Sequence, residues 1–143
     1  MRVLLDVNVW VALLDDAHVF SPQANAFINQ PGVKIATCPL VENGVIRVLN
    51  LPGYGRRGAV GLTTVRDRLA QACEQLDHEF WPDDVSLRDR ERVDFSKVHG
   101  HQQITDVYLL TLAVQHRGCL ATFDRAIALS AVVGAQPRHL KLL

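Results

Sequence analysis

Thiols, long apolar runs, lysine and net charge are all scarce in this chain, and each scarcity removes a class of function. There are three cysteines, Cys38, Cys73 and Cys119. No C-x-x-C pair occurs and the number is odd, which argues against a disulfide scaffold or a zinc-thiolate site. All three read as small buried apolar residues in a reducing compartment. No apolar run approaches the roughly 18 residues that a membrane-spanning helix needs, so no membrane association is expected. Met1-Arg2 leads straight into an apolar stretch, so no cleavable leader is expected and the location reads as cytoplasmic. Lys plus Arg equals Asp plus Glu at 15 each, which gives no global pull toward nucleic acid; any such binding needs a local basic patch. Lysine itself is limited to Lys34, Lys97 and Lys141. Repeats and low-complexity segments are absent too. What remains is an ordinary globular composition, 48% hydrophobic and 21% charged over 143 residues, suited to a single domain spanning 1–143.

The chain alternates short apolar runs with longer periodic segments. Val3-Leu4-Leu5 reads as a buried strand that stops at Asp6. An acid just past such a strand sits where open α/β sheets place their ligands. Asp6 or Asn8 serving only as the cap of the next helix is the simpler alternative. Helix is expected over 8–14, with Trp10 in the core. A second helix is expected from a Ser21 cap and Pro22 to residue 28, ended by Gln30-Pro31-Gly32. A strand over 33–37 precedes a helix from Pro39 to about residue 50. The glycine-rich loop 53–61 leads to an amphipathic helix over 63–78, striped by Val65, Leu69, Ala72, Cys73 and Leu76. A third strand is expected at 85–87, a charged turn or short helix at 89–94 and a loop at 99–101. A helix over 105–117 ends at Gly118. Residues 119–122 form a strand, Asp124 opens another helix, and 139–142 forms a last strand. This alternation predicts an α/β fold with a parallel sheet and helices on both faces.

Four acids stand out against that frame. Glu42 heads an apolar stripe of Val45, Ile46 and Leu49, and Asp106 heads one of Leu109, Leu110, Ala113 and Val114, so both share the face that turns inward. Asp124 follows its strand as Asp6 follows the first. Strand ends and the following helix starts lie on one edge of a parallel sheet, so the four can converge. Each alone could merely complement a helix dipole. Together they would repel unless a cation compensates. Oxygen donors without histidine or cysteine favour Mg²⁺ or Mn²⁺, and phosphodiester hydrolysis is the natural chemistry of such a site. His99 and His101 are candidates to touch phosphate or, less simply, to ligate metal. Arg56, Arg57, Arg66 and Arg68 are candidates for a basic patch beside the acids. Ser130 has no histidine-acid pattern around it, so a nucleophilic triad is not supported.

The segments LLDVNVWVAL, CPLVENGVIRVL, HQQITDVYLLTLAVQHRG and LATFDRAI occur together and in order as they do in PIN-domain ribonucleases. The chain resembles the VapC-type toxins of bacterial toxin–antitoxin pairs over nearly its whole length, although 53–94 matches no motif of that family. The resemblance implies a PIN-like three-layer α/β/α fold with a short, mostly parallel sheet. It implies Mg²⁺- or Mn²⁺-dependent cleavage of RNA, a homodimer, and inhibition by a cognate VapB-type antitoxin. It carries the acidic quartet onto Asp6, Glu42, Asp106 and Asp124, with Asp6 and Asp106 as principal metal ligands. Asn8, Thr105 and Thr122 become candidate hydrogen-bonders around them. For the antitoxin, the surplus apolar surface of helix 8–14 offers a landing place for a partner helix, with a partner arginine reaching Asp6, Glu42 or Asp106. Two other readings remain at this point. A non-catalytic PIN-like RNA-binding module would not respond to Mg²⁺. A haloacid-dehalogenase-like phosphohydrolase also starts from a strand ending in Asp, but needs a second Asp where this chain has Asn8.

Overall fold

The computed structural model describes residues 1–55 and 58–143; Arg56 and Arg57, half of the expected basic patch, lie outside the described residues. The elements run β1 (Val3–Leu5), α1 (Val7–Leu14), α2 (Ser21–Ile28), β2 (Lys34–Thr37), α3 (Pro39–Val48), α4 (Leu62–Gln75), β3 (Asp77–Phe80), α5 (Ile104–Gln115), β4 (Cys119–Thr122) and β5 (Leu140–Leu142). The strands form one sheet in the order β3-β2-β1-β4-β5, with every neighbouring pair parallel.

That order determines the layers. Parallel crossovers are right-handed. The connections β1 to β2 and β2 to β3 step to one side, whereas β3 to β4 returns across β1. Helices α1–α4 therefore cover one face and α5 the other. The contacts agree: α1 touches α2, α3 and α4, while α5 packs on β1 and β4. The central strands need apolar residues on both faces, and β1 and β4 are buried at every position. Helix α5 is buried at seven consecutive residues, Val107 to Ala113. In α1, Val9, Trp10, Val11 and Ala12 are buried. The apolar surplus expected there as a partner surface is thus largely consumed by the chain's own core. Cys38 and Cys119 are buried as expected, and Cys73 is half-buried.

Several local expectations are corrected. Helix α4 stops at Gln75, and Asp77-His78-Glu79-Phe80 is an edge strand rather than the end of that helix. Its sequence carries no apolar alternation; it is held by β2 and by Arg2. The Arg2 guanidinium donates to the carbonyls of Ile35 at 2.9 Å and Asp77 at 2.8 Å, and pairs with the carboxylates of Asp77 and Glu79. Residues 85–87, expected as a strand, are irregular. Ser21 does not cap α2: the cap position is Phe20, and the Ser21 hydroxyl accepts from the Asn25 amide at 3.1 Å. No α-helix follows Asp124; its carboxylate accepts from the Ala126 N–H at 2.7 Å and closes a turn. His101, expected in a loop over 99–101, opens a turn of 3-10 helix over His101–Gln103. Gly118 does not end α5 by adopting a left-handed conformation, since Arg117 does so with φ 56°. Gly118 is required because a Cβ there would stand 2.5 Å from the Arg2 carbonyl and 2.7 Å from Trp81 Cη2.

Candidate active site

The strand order reverses beside β1, with β2 on one side and β4 on the other. The crevice beyond the carboxyl ends of β1 and β4 is therefore a topological switch point, the standard ligand position in open α/β sheets. Asp6 leaves β1 there, Thr122 and Asp124 leave β4, and Asp106 lies in the first turn of α5.

Asp6 is 5% exposed. Its Oδ1 accepts from the Val7 N–H at 2.6 Å and its carbonyl accepts from the N–H groups of Val9 and Trp10, so it does cap α1. Its Oδ2 accepts from the Thr122 hydroxyl at 3.0 Å, and Thr122 Oγ1 in turn accepts from the Asp124 N–H at 3.0 Å. Cap and site are one arrangement: the bonds that start α1 also fix the carboxylate in the crevice. Burial raises the Asp6 carboxyl above its ordinary range, the Thr122 and Val7 bonds oppose this, and the Asp124 charge raises it further. Burial also raises Asp106, to about 6, reinforced by the charges of Asp6 and Asp124. The charge of Asp124 thus reaches Asp6, and the charges of Asp6 and Asp124 reach Asp106. Among the described residues, the influences on Asp6 and Asp106 are burial, hydrogen bonds and acidic charge.

Glu42 is held differently. It lies in the first turn of α3, where Pro39 starts the helix. Its Oε1 accepts from the Thr37 hydroxyl at 2.8 Å, and Thr37 Oγ1 lies 2.7 Å from His78 Nε2. Burial lowers the His78 imidazole, and the Glu42 charge opposes that effect. Glu42 is not among the groups that shift Asp6 or Asp106. Its helix nevertheless lies tight against the one Asp6 caps: a Cβ on Gly44 would meet Val7 Cγ2 at 2.6 Å.

Among the described residues, no three acidic, histidine or cysteine side chains are close enough to form a ready-made metal cage. The donor chemistry does fit a hard cation. The three neighbouring groups are carboxylates, and carboxylates brought together repel one another unless a cation compensates.

The other candidates fare unequally. Of Asn8, Thr105 and Thr122, only Thr122 hydrogen-bonds to an acid among the described residues; Asn8 and Thr105 are exposed. His99 and His101 are exposed; the His99 N–H donates to Gln103. Arg66 pairs with Asp67 at 3.0 Å, and Arg68 lines a groove of about 1030 Å³ with Leu13, Asp15 and Tyr54. Neither arginine acts on Asp6 or Asp106. Sequence reasoning missed Thr37 and His78. A signal for Thr37 existed: β2 ends Ile-Ala-Thr and β4 ends Leu-Ala-Thr, and each final threonine donates to an acid. His78 gave no signal while its segment read as helix.

Comparison with known proteins places this geometry. The PIN domain family profile matches residues 3–132. The chain is 44% identical to Ribonuclease VapC44 of Mycobacterium tuberculosis H37Rv, covering all of both chains. It is 37% identical to Ribonuclease VapC29 of the same organism, over 90% of each chain. Among solved structures it is similar to a chain from the crystal structure of VapBC2 from Rickettsia felis bound to a DNA fragment from their promoter. That match has a TM-score of 0.59 at 15% identity and covers 100% of this chain and 98% of the other.

Proposed function

We propose, on the premise that this chain belongs to the PIN-domain family and to its VapC type, that it is a divalent-metal-dependent endoribonuclease acting as the toxin of a cytoplasmic toxin–antitoxin pair. The family match removes the haloacid-dehalogenase alternative. The observation that carries the metal reading is Asp106, half-buried and raised to about 6 by burial and by Asp6 and Asp124. A crevice lined by repelling carboxylates gains most from a Mg²⁺ or Mn²⁺ ion.

Asp6, Asp106 and Asp124 would hold the ion, with Glu42 completing the acidic set. When bound, the ion supplies positive charge to the phosphodiester and favours deprotonation of an attacking water. The chain's own residues do the positioning. The Val7 N–H and the Thr122 hydroxyl hold both Asp6 oxygens, so this carboxylate is preorganised before substrate arrives. Thr122 also accepts from the Asp124 backbone, tying the two strand-end acids together. Asp106 at the start of α5 is backed by the buried run from Val107 to Ala113, so its position is set by core packing.

RNA is the substrate on this reading, a VapB-type antitoxin the inhibitor, and a homodimer the working form. The relatives' ribonuclease names support the first. No described helix is long and apolar enough to cross a membrane. The experiment is cleavage of labelled single-stranded RNA after chelation and re-addition of Mg²⁺ or Mn²⁺. Cleavage that stops in EDTA and returns with the ion supports the enzyme. Undiminished cleavage in EDTA overturns the metal mechanism, and no cleavage with either ion favours a non-catalytic RNA-binding module. Asp106→Asn keeps the shape and removes a charged ligand, so activity should fall by orders of magnitude with folding intact.

A further inference from the structure

One chain of hydrogen bonds lies outside the three coupled acids: His78 Nε2 to Thr37 Oγ1 at 2.7 Å, and Thr37 Oγ1 to Glu42 Oε1 at 2.8 Å. It joins β3, β2 and α3. The register explains why these residues meet. His78 pairs with Ile35, and side chains two apart on a strand share a face. His78 and Thr37 are therefore diagonal neighbours on one face of the sheet, within side-chain reach.

The proton positions follow from valence. Thr37 is fully buried, at 0% exposure, and its hydroxyl has a single proton. A carboxylate only accepts, so that proton goes to Glu42. Thr37 Oγ1 is then left as an acceptor toward the imidazole, which must carry its proton on Nε2. The opposite neutral tautomer would set two lone pairs against each other at 2.7 Å. The clamp engages Glu42 Oε1 and leaves Oε2 without a protein partner among the described residues.

We propose that His78 is a positioning residue: through Thr37 it fixes the rotamer of Glu42, engaging Oε1 and presenting Oε2 as the oxygen available to a divalent cation. This rests on the ribonuclease reading above. Residues that orient metal ligands from behind commonly affect metal affinity by about 10- to 100-fold, so the clamp is measurable without assaying RNA cleavage.

The test has two arms. In the first, long-range ¹H–¹⁵N NMR of the metal-free full chain reads the His78 tautomer, expected to be Nε2–H. In the second, Mn²⁺ binding is followed by electron paramagnetic resonance for the parent, Thr37→Val, His78→Ala and His78→Gln, with thermal melting to verify folding. Thr37→Val and His78→Ala should weaken Mn²⁺ binding by roughly tenfold or more. His78→Gln, whose amide N–H reaches the Nε2 position, should restore most of the loss. An Nδ1–H tautomer overturns the proposal, as does parent-like Mn²⁺ affinity in His78→Ala, or folded His78→Gln binding as weakly as His78→Ala. If the parent itself binds no Mn²⁺, the metal-dependent ribonuclease reading fails, and the tautomer alone decides whether the clamp exists.

Discussion

Replacing Asp106 by asparagine should stabilise the metal-free protein at neutral pH while abolishing its metal-dependent activity. The carboxyl of Asp106 rises from 3.8 to about 6, through burial first and then the charges of Asp6 and Asp124. A folded-state value above the unfolded one means that the native state holds its proton more tightly. Below the unfolded value both states are protonated and nothing is lost. As pH climbs from 3.8 to about 6 the unfolded state ionises first, so native stability falls, and the loss is complete above about 6. At about 1.4 kcal/mol per pH unit the ceiling is about 3 kcal/mol. Asp106 is only half-buried, and solvent screening reduces this to about 1–2 kcal/mol. Asparagine keeps the shape and has no such titration. In EDTA the variant should match the parent near pH 4 and exceed it at pH 7 by about 3–6 °C in Tm, at roughly 3 °C per kcal/mol for a chain of this size. Mg²⁺ should raise the parent's Tm and leave the variant's nearly unchanged. The assay is thermal melting between pH 4 and 8. A variant less stable than the parent at pH 7, or a difference that does not grow with pH, refutes the raised Asp106 carboxyl.

Two further predictions concern the scaffold. Thr122→Val removes the hydroxyl that donates to Asp6 Oδ2 and should destabilise the protein by roughly 1.5–3 kcal/mol, as expected for a bond to a charged group; urea denaturation reads it, and no loss would mean that Asp6 is not held from β4. Gly118→Ala places a Cβ against the Arg2 carbonyl and Trp81 and should cost about 1–3 kcal/mol or more by overpacking; an unchanged denaturation midpoint would contradict that close approach.

Much of the fold was legible because the chain obeys the periodicities. Val3-Leu4-Leu5 and Cys119-Leu120-Ala121-Thr122 are buried on both faces of a parallel sheet, so they read as unbroken apolar runs. Asp6, Asp106 and Asp124 were legible because strand ends and helix starts share an edge in that architecture. The most costly failure lies in an edge element. Asp77 to Phe80 is a strand by virtue of β2 and the Arg2 guanidinium, tertiary contacts that leave no local pattern. With that strand read as helix, His78 could not be placed beside Thr37, and the support behind Glu42 stayed hidden. Gly118 was identified as special but for the wrong reason, because a helix stop and a close backbone approach call for the same residue. Asp124 resembled a helix cap because a turn closed by its carboxylate onto Ala126 uses the same hydrogen bond as a cap.

The central claim is that Asp6, Asp106 and Asp124 form one cation-binding unit, and Mn²⁺ affinity measured against pH tests it most directly. With Asp106 protonated below about 6, the ion must displace a proton. Affinity should therefore rise about tenfold per pH unit between pH 4.5 and 6 and level off above. Asp106→Asn should bind far more weakly and without that slope. Affinity that is flat across this range, or unchanged by Asp106→Asn, would contradict the account.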